Sequence, residues 1–173
     1  MQETAQQYIQ RILGHVDGQD SVKVQRATAA KLKKSIRGLT AKQLKWKPAP
    51  GKWSIAEILA HLADAEIVAS WRLRLIVGAS GTTVQPYDQD AWASVFQYGK
   101  RDAKQSLEIF RVLRENNLAM LKALPPEHWE SYGMHQERGK ETIAHLVRMF
   151  AGHDTNHLRQ IEGIAAQLKK KRK

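Results

Sequence analysis

The sequence predicts an all-α fold, a four-helix bundle with a short extra N-terminal helix. Apolar residues recur at helical spacing over four long segments, and capping and stop signals bound these segments. No stretch of comparable length alternates apolar and polar residues with the period of two that a strand requires. Short connections favour a mostly antiparallel bundle, and the up-and-down order of the helices is left open.

The first two helices are predicted from the N-terminal third of the chain. Helical spacing indicates a short opening helix over Thr4–Leu13, which Gly14 ends. Asp20 or Ser21 then caps a longer helix, and Gly38 near its end offers the left-handed conformation that often follows a helix C-terminus.

The clearest start signal is the capping box Ser54-Ile55-Ala56-Glu57, with Trp53 and Ile58 placed as a hydrophobic staple. We expect a helix from Ser54 to about Val77, ended by Gly78. The third long helix is predicted over residues 101–124, before two consecutive prolines.

The fourth long helix is expected to begin after Thr142, as its cap, and to reach about Leu168. Residues 1–168 then form a single domain. The chain contains no cysteine, which excludes disulfides, thiolate ligands and a thiol nucleophile, so any metal must bind to His, Asp or Glu. The N-terminus lacks a signal-peptide pattern and no apolar run spans a membrane, so we expect a cytoplasmic protein with no membrane contact.

Lys and Arg number 28 against 17 Asp and Glu, a formal net charge of +11. Five of these charges lie in the tail Lys169–Lys173, and the remaining charge is ordinary for a domain of this size. We expect this tail to be disordered and solvated. A contact with nucleic acid through Lys169–Lys173 is the alternative.

Three histidines carry the functional argument. His153 and His157 are four residues apart, so they lie on one face of the last helix, and His61 lies on the helix that begins at Ser54. Both faces are apolar, with Leu146, Met149, Phe150, Ile161 and Ile164 on the later helix and Ile58, Ala65, Val68, Ala69 and Ile76 on the earlier one. All three imidazoles are therefore expected to face the bundle interior.

A buried imidazole can simply be a core residue that is hydrogen-bonded to its surroundings. Three on two apolar faces favour a metal, because each unsatisfied ring costs about 1–3 kcal/mol and a metal site offsets such costs. We predict one divalent ion bound by His61, His153 and His157, with coordination positions left open. Imidazole suits Zn, Ni, Cu and Fe, and Mn less well, so the candidate ions are Zn, Ni, Fe or Mn, and binding should weaken below about pH 6.5.

Other polar residues near these positions have a plain interpretation. Glu57 lies one turn before His61 and could accept its ring N–H, although the capping box already explains it. Asp154 and Gln160 could likewise support the site, although Asp154 is expected to be a solvated surface residue. The remaining histidines are expected to be structural or exposed, namely His15, His128, His135 and His145.

Three segments together resemble the DinB-like superfamily: residues 51–62 (GKWSIAEILAHL), 85–92 (QPYDQDAW) and 152–161 (GHDTNHLRQI). The likeness covers nearly the whole chain, and the Trp-Ser-x-x-Glu-x-x-x-His segment paired with a late His-x-x-x-His is its specific part. The resemblance implies a four-helix bundle with a divalent metal on His61, His153 and His157, and frequent homodimers. In some members it implies S-transferase activity with a low-molecular-weight thiol such as bacillithiol, mycothiol or glutathione.

Three functional hypotheses follow. The leading one is a metal-dependent transferase in which the ion lowers the pKa of a low-molecular-weight thiol, which then attacks a small-molecule electrophile. The second is a hydrolase that uses metal-bound hydroxide. The third is a non-catalytic damage-response or binding protein whose tail meets nucleic acid, although no recognition motif is present. The pocket is expected near Glu57 and the Tyr87–Trp92 loop; Arg72 and Arg74 either line it or pack elsewhere.

Overall fold

The computed structural model describes residues 3–170 and confirms the predicted four-helix bundle. The bundle is formed by α2, α4, α6 and α7, and α1 packs on α7 as the extra N-terminal helix. The helices of this part of the chain are α1 (Ala5–Gly14), α2 (Ser21–Ser35), α3 (Ala41–Leu44), α4 (Ile55–Gly78), α5 (Gln89–Val95), α6 (Ala103–Ala123) and α7 (Ile143–Lys170).

The caps of the long helices form as the sequence predicts. The Ser54 hydroxyl accepts a hydrogen bond from the Glu57 amide, and the Glu57 carboxylate accepts one from the Ser54 amide at 2.8 Å. Asp20 caps α2, and Thr142 Oγ1 accepts the amide of His145 at 3.1 Å in the first turn of α7. These side chains satisfy backbone N–H groups that a helix start leaves without intrahelical partners, so they fix where α4 and α7 begin.

Two apolar clusters show how α4 and α7 run. Ile58, near the start of α4, packs in the same cluster as Ile161 from the second half of α7. Ile76, near the end of α4, packs in the other cluster with Leu146 from the first half of α7. The two helices are therefore antiparallel, and His61 lies between the two pairs of residues.

A three-stranded sheet at one end of the bundle was not predicted. It consists of β1 (Thr83–Val84), β2 (Tyr132–His135) and β3 (Gly139–Thr142) in the order β1-β2-β3, with a parallel and then an antiparallel pairing. Strands of two to four residues are too short to show an alternation in sequence. The sheet closes the end of the bundle from which α7 departs.

The last helix is longer than predicted. It continues beyond Leu168 through Lys169 and Lys170, which are both exposed, and residues 171–173 lie outside the described part of the chain. The disordered tail stays a prediction. None of the helices in residues 3–170 is long and apolar enough to cross a membrane.

The contact between α1 and α7 depends on Gly152. A Cβ atom at this position would overlap the backbone carbonyl of Ile12 and would also crowd its side chain. Gly152 directly precedes His153, so the absence of a side chain brings α1 close to the helix that carries two of the three histidines. A second glycine of the same helix, Gly163, has open space where its Cβ would lie.

This difference predicts opposite effects of two matched substitutions. Gly152→Ala should destabilise the protein by about 1–3 kcal/mol, because the new methyl group must push α1 away from α7. Gly163→Ala should instead stabilise it by about 0.5–1 kcal/mol, because alanine favours a helix interior. Urea unfolding of both variants checks this, and equal stabilities would contradict the close approach.

Candidate metal centre

Two helices bring the three predicted histidines together. His61 projects from α4 and is buried, while His153 and His157 project from consecutive turns of α7. Nε2 of His153 lies 3.0 Å from Nε2 of His61 and 3.1 Å from Nε2 of His157. One nitrogen from each ring falls within 4.8 Å of the others, which makes these residues a group that could hold a metal ion.

The outer ring atoms differ in their surroundings. Nδ1 of His157 lies 2.9 Å from Oε1 of Gln160, and the tautomer that donates from Nδ1 to this oxygen leaves the lone pair of Nε2 directed at the group. Gln160 therefore contacts one of the three histidines, and its support of a metal site stays a prediction. Nδ1 of His61 is buried without a hydrogen-bond partner among the described residues, and the ring of Trp53 packs 5.1 Å from the His61 ring.

Burial keeps all three rings uncharged near neutral pH. Loss of hydration, with the neighbouring His157 adding to it, lowers the pKa of His61 to about 3. Burial likewise lowers the pKa of His157 to about 4, against the hydrogen bond to Gln160. The pKa of His153 is also far below its usual value, again mainly through burial. Three neutral rings with inward nitrogens are the protonation state in which imidazole ligates a metal.

The carboxylates closest in sequence to these histidines are engaged elsewhere. One oxygen of Glu57 accepts from the Ser54 amide and hydroxyl at 2.8 Å, and the other pairs with Lys47 at 2.8 Å. Glu57 makes no hydrogen bond with His61, so the capping role is its role and the supporting role considered for it is wrong.

Asp154 is not the solvated residue that the sequence suggested. It is 1% exposed and forms an ion pair with Arg114, which also binds Glu66 at 2.7 Å. Asn117 donates to the same Glu66 carboxylate at 2.8 Å. Helical projection misplaced Asp154 because a second face of α7, next to the one that carries the histidines, also faces the core, where α2 and α6 supply polar partners.

The other histidines remain apart from the group. His15 contacts Arg159 at 2.7 Å, and His135 accepts the amides of Glu137 and Arg138 in the turn after β2. His128 lies in a 3-10 turn and His145 in the first turn of α7. The interpretation of all four as structural or surface residues agrees with these positions.

Two cavities reach the histidines from different sides. The first, of about 580 Å³, is lined by His153, Arg72, Tyr8 and Tyr87 among others. The second, of about 510 Å³, is lined by His157 and Trp53. The 85–92 loop contributes to both, as expected, whereas Glu57 lines neither.

No sequence pattern predicts that Tyr8 lines this cavity, because α1 lies far from the histidines along the chain. The position of Arg72 could have been predicted from sequence. It follows His61 by three helical turns, at the spacing of residues 61, 65, 68 and 72, so it lies on the same face of α4 as His61.

The family of the chain follows from comparison with known proteins. The profile of the DinB superfamily matches residues 25–161. The chain belongs to the DinB superfamily. The match contains all three histidines and the four helices of the bundle, apart from the first turn of α2 and the end of α7.

Individual members of the superfamily show what the chain is similar to. A protein of Oceanobacillus iheyensis named "Putative metal-dependent hydrolase" is 28% identical over 77% of this chain and 77% of its own length. The hydrolase of the same description from Bacillus subtilis, YfiT, is 24% identical over 85% of this chain and 83% of its own.

A solved structure of YfiT from Bacillus subtilis, described as a probable metal-dependent hydrolase with an unusual four-helix bundle topology, superimposes with a TM-score of 0.80. It covers 86% of each chain at 22% identity. This likeness shows that the two chains share a fold.

The depressed pKa values predict how stability depends on pH. In the metal-free protein the unfolded chain takes up protons below about pH 6.5, whereas the folded histidines stay neutral until about pH 4 or lower. Stability should therefore fall as pH drops through this window, by up to about 1.4 kcal/mol per pH unit for each histidine. Because the folded histidines have such low pKa values, protons should compete with a metal for these rings only below the pH 6.5 expected from sequence.

Urea unfolding with chelator present, repeated between pH 7.5 and about pH 4.5, measures this slope. The variant His157→Leu should show a shallower decline than the wild type because one such group is gone. Identical slopes for the two proteins would contradict the buried, neutral state of His157.

Proposed function

We propose that His61, His153 and His157 together bind one divalent metal ion. The observation that supports this proposal is the close approach of three Nε2 atoms. Nε2 of His153 lies 3.0 Å from that of His61 and 3.1 Å from that of His157. The central nitrogen, Nε2 of His153, carries either one proton or one lone pair, so it can form only one of its two short contacts as a normal hydrogen bond. A shared cation accepts lone pairs from all three rings at once.

The donor set fits the ions expected from sequence. Imidazole nitrogen suits Zn, Ni and Fe, and Mn less well. Three protein ligands leave positions free, which is the arrangement of catalytic rather than structural sites. One cavity is lined by His153 and the other by His157, so both give small molecules access to the group.

We further propose that the protein is a metal-dependent hydrolase, as the names of its relatives suggest for them. The bound ion would supply Lewis-acid activation and a nucleophile derived from water near neutral pH. The chain contributes the rest. Gln160 holds the His157 ring in place, and Trp53 covers His61 on the side of the second cavity.

Thiol transfer is the second candidate, and the presence of two cavities favours it. A transferase must admit a low-molecular-weight thiol and an electrophile together, and the cavities reach the histidines through different residues. In this reaction a sulfur–carbon bond forms, the bond from carbon to its leaving group breaks, and the thiol proton passes to solvent. The chain has no cysteine, so the sulfur must come from a small molecule.

Metal content tests the site directly. The purified protein should hold one equivalent of a divalent metal, and the double variant His153→Ala/His157→Ala should hold almost none, because one neutral ring retains a metal poorly. His145→Ala is the matched control, since His145 lies on the same helix outside the group and its loss should leave one equivalent. Elemental analysis checks all three proteins, and full content in the double variant would refute the site.

Activity should separate the two reactions. Initial rates over a panel of small esters and amides, and over electrophiles with each thiol, are measured for metal-loaded, chelated and His61→Ala protein. For a hydrolase, turnover needs the metal and His61 but no thiol, with losses of at least about a hundredfold when either is removed. Turnover that requires a thiol would establish transfer instead. Equal rates in all three samples would contradict any reaction at this centre.

We also propose a homodimer in the cytoplasm. Large apolar side chains remain exposed on one side of α4 and at the end of α5, where a second copy would bury them; these are Ile67, Trp71, Val95 and Phe96.

Nucleic-acid binding through Lys169–Lys173 stays an alternative, and deletion of this tail with a salt-dependent binding assay examines it.

A further inference from the structure

The first cavity runs away from the histidines along α4 and α7. On α4, Ala65, Val68 and Arg72 line it on the face that His61 begins. On α7, His153 lines it together with residues of the preceding turns, Leu146, Met149 and Phe150. Because Arg72 follows His61 by three turns, their Cα atoms are about 16 Å apart along the helix. The groove therefore has the histidines toward one end and Arg72 toward the other.

Arg72 is a buried cation without a carboxylate partner. Its side chain is buried, yet its one hydrogen bond within residues 3–170 goes to the backbone carbonyl of Gln85, at 2.6 Å. Burial, and then the charge of Arg138, lower the pKa of Arg72, which still leaves it protonated. Other buried or half-buried arginines of the chain differ, since Arg114 pairs with Glu66 and Arg138 pairs with Glu141.

Two hydroxyl groups in the same cavity also have donors to offer. The rings of Tyr8 and Tyr87 line it, and neither phenol hydroxyl makes a hydrogen bond to another described residue. The guanidinium carbon of Arg72 lies 6.0 Å from the centre of the Tyr87 ring. A guanidinium and two hydroxyls around one space are donors that suit an anionic oxygen.

The acidic residues that line the cavity form no ion pair with Arg72, and the nearby Glu141, which raises its pKa, is paired with Arg138. Glu3 forms a two-pronged pair with Arg11, at 2.8 and 2.9 Å. Asp88 caps α5 by accepting the amides of Asp90 and Ala91. Glu137 is exposed at the rim and forms no ion pair with Arg72. The positive charge of Arg72 is therefore available to a ligand.

We propose that Arg72 binds an anionic group, a carboxylate or a phosphate, at the end of the substrate remote from the reacting bond. The substrate is an elongated monoanion or dianion that lies in the groove, with its reactive end at the histidines. This inference rests on the proposed metal centre for the position of the reactive end, whereas the anion site itself needs only the cavity. Tyr8 and Tyr87 donate to the remaining oxygens of the anion.

Binding to the metal-free protein tests the anion site without any assumption about the reaction. Straight-chain alkanoates, alkyl phosphates and alkanols of matched lengths are titrated into chelated protein and followed by ligand-detected NMR. The wild type should bind one of the anionic series about tenfold to a hundredfold more tightly than the alkanols, as a charge-assisted hydrogen bond provides. The preferred series identifies carboxylate or phosphate.

Variants assign the preference to Arg72. Arg72→Gln should bind anions and alkanols equally, and Arg72→Lys should retain part of the preference because it keeps the charge. Arg74→Gln is the matched control: Arg74 is exposed on the same helix, and its loss should leave the preference unchanged. Circular dichroism confirms that each variant is folded.

The outcomes separate this inference from the proposed function. A wild type without an anion preference, or an Arg72→Gln protein that keeps it, would overturn the anion site even if the metal is present in full. If Arg72→Gln does not fold because the contact with Gln85 is lost, the anion preference of the wild type is compared with that of Arg72→Lys. An unchanged preference in Arg72→Lys would then count against a bidentate contact from Arg72, and a reduced one would support it. An anion preference in a protein that never binds metal would support the anion site and refute the metal centre.

Discussion

The antiparallel packing of α4 against α7 determines where the chemistry of this protein can occur. It places one histidine of α4 opposite two histidines on successive turns of α7, with their Nε2 atoms 3.0 and 3.1 Å apart. Apolar clusters on both sides bury His61 and His157, while His153 is half-buried at the first cavity, and the pKa of each ring is lowered so that it stays uncharged. Removal of these rings from water costs stability, and the free energy of binding a cation offsets this cost.

The surroundings of the centre explain how the bundle tolerates so many polar groups. Arg114, 2% exposed, bridges two buried carboxylates from different helices, Glu66 and Asp154, so loss of Arg114 would leave both without a cation. This ion network lies on the face of α7 next to the one that carries the histidines. Gly152 then lets α1 approach α7 and complete the wall of the first cavity with Tyr8. The site thus depends on contacts that lie well outside it.

Sequence patterns predicted the long helices because each begins with a local signal, such as the Ser54–Glu57 box or the Thr142 cap, that forms the expected hydrogen bonds. The inward orientation of the histidines was predictable because each lies on an apolar face at helical spacing. The short strands were missed because their pairing is set by distant residues, as when Thr83 pairs with Met134. The helix α5 has a local cap in Asp88, but its seven residues are too few to show a helical period clearly. Asp154 was misplaced because only the fold reveals Arg114 as its partner.

X-ray absorption of the purified protein, loaded with zinc or with its native metal, tests the central claim most directly. Our account predicts three imidazole nitrogens around the ion, at about 2.0–2.1 Å for zinc, with at least one oxygen ligand from solvent. Substitution of His61 by Ala should reduce the imidazole signal to two rings or abolish binding. A spectrum with only oxygen ligands, or one unchanged in the His61→Ala protein, would contradict the account.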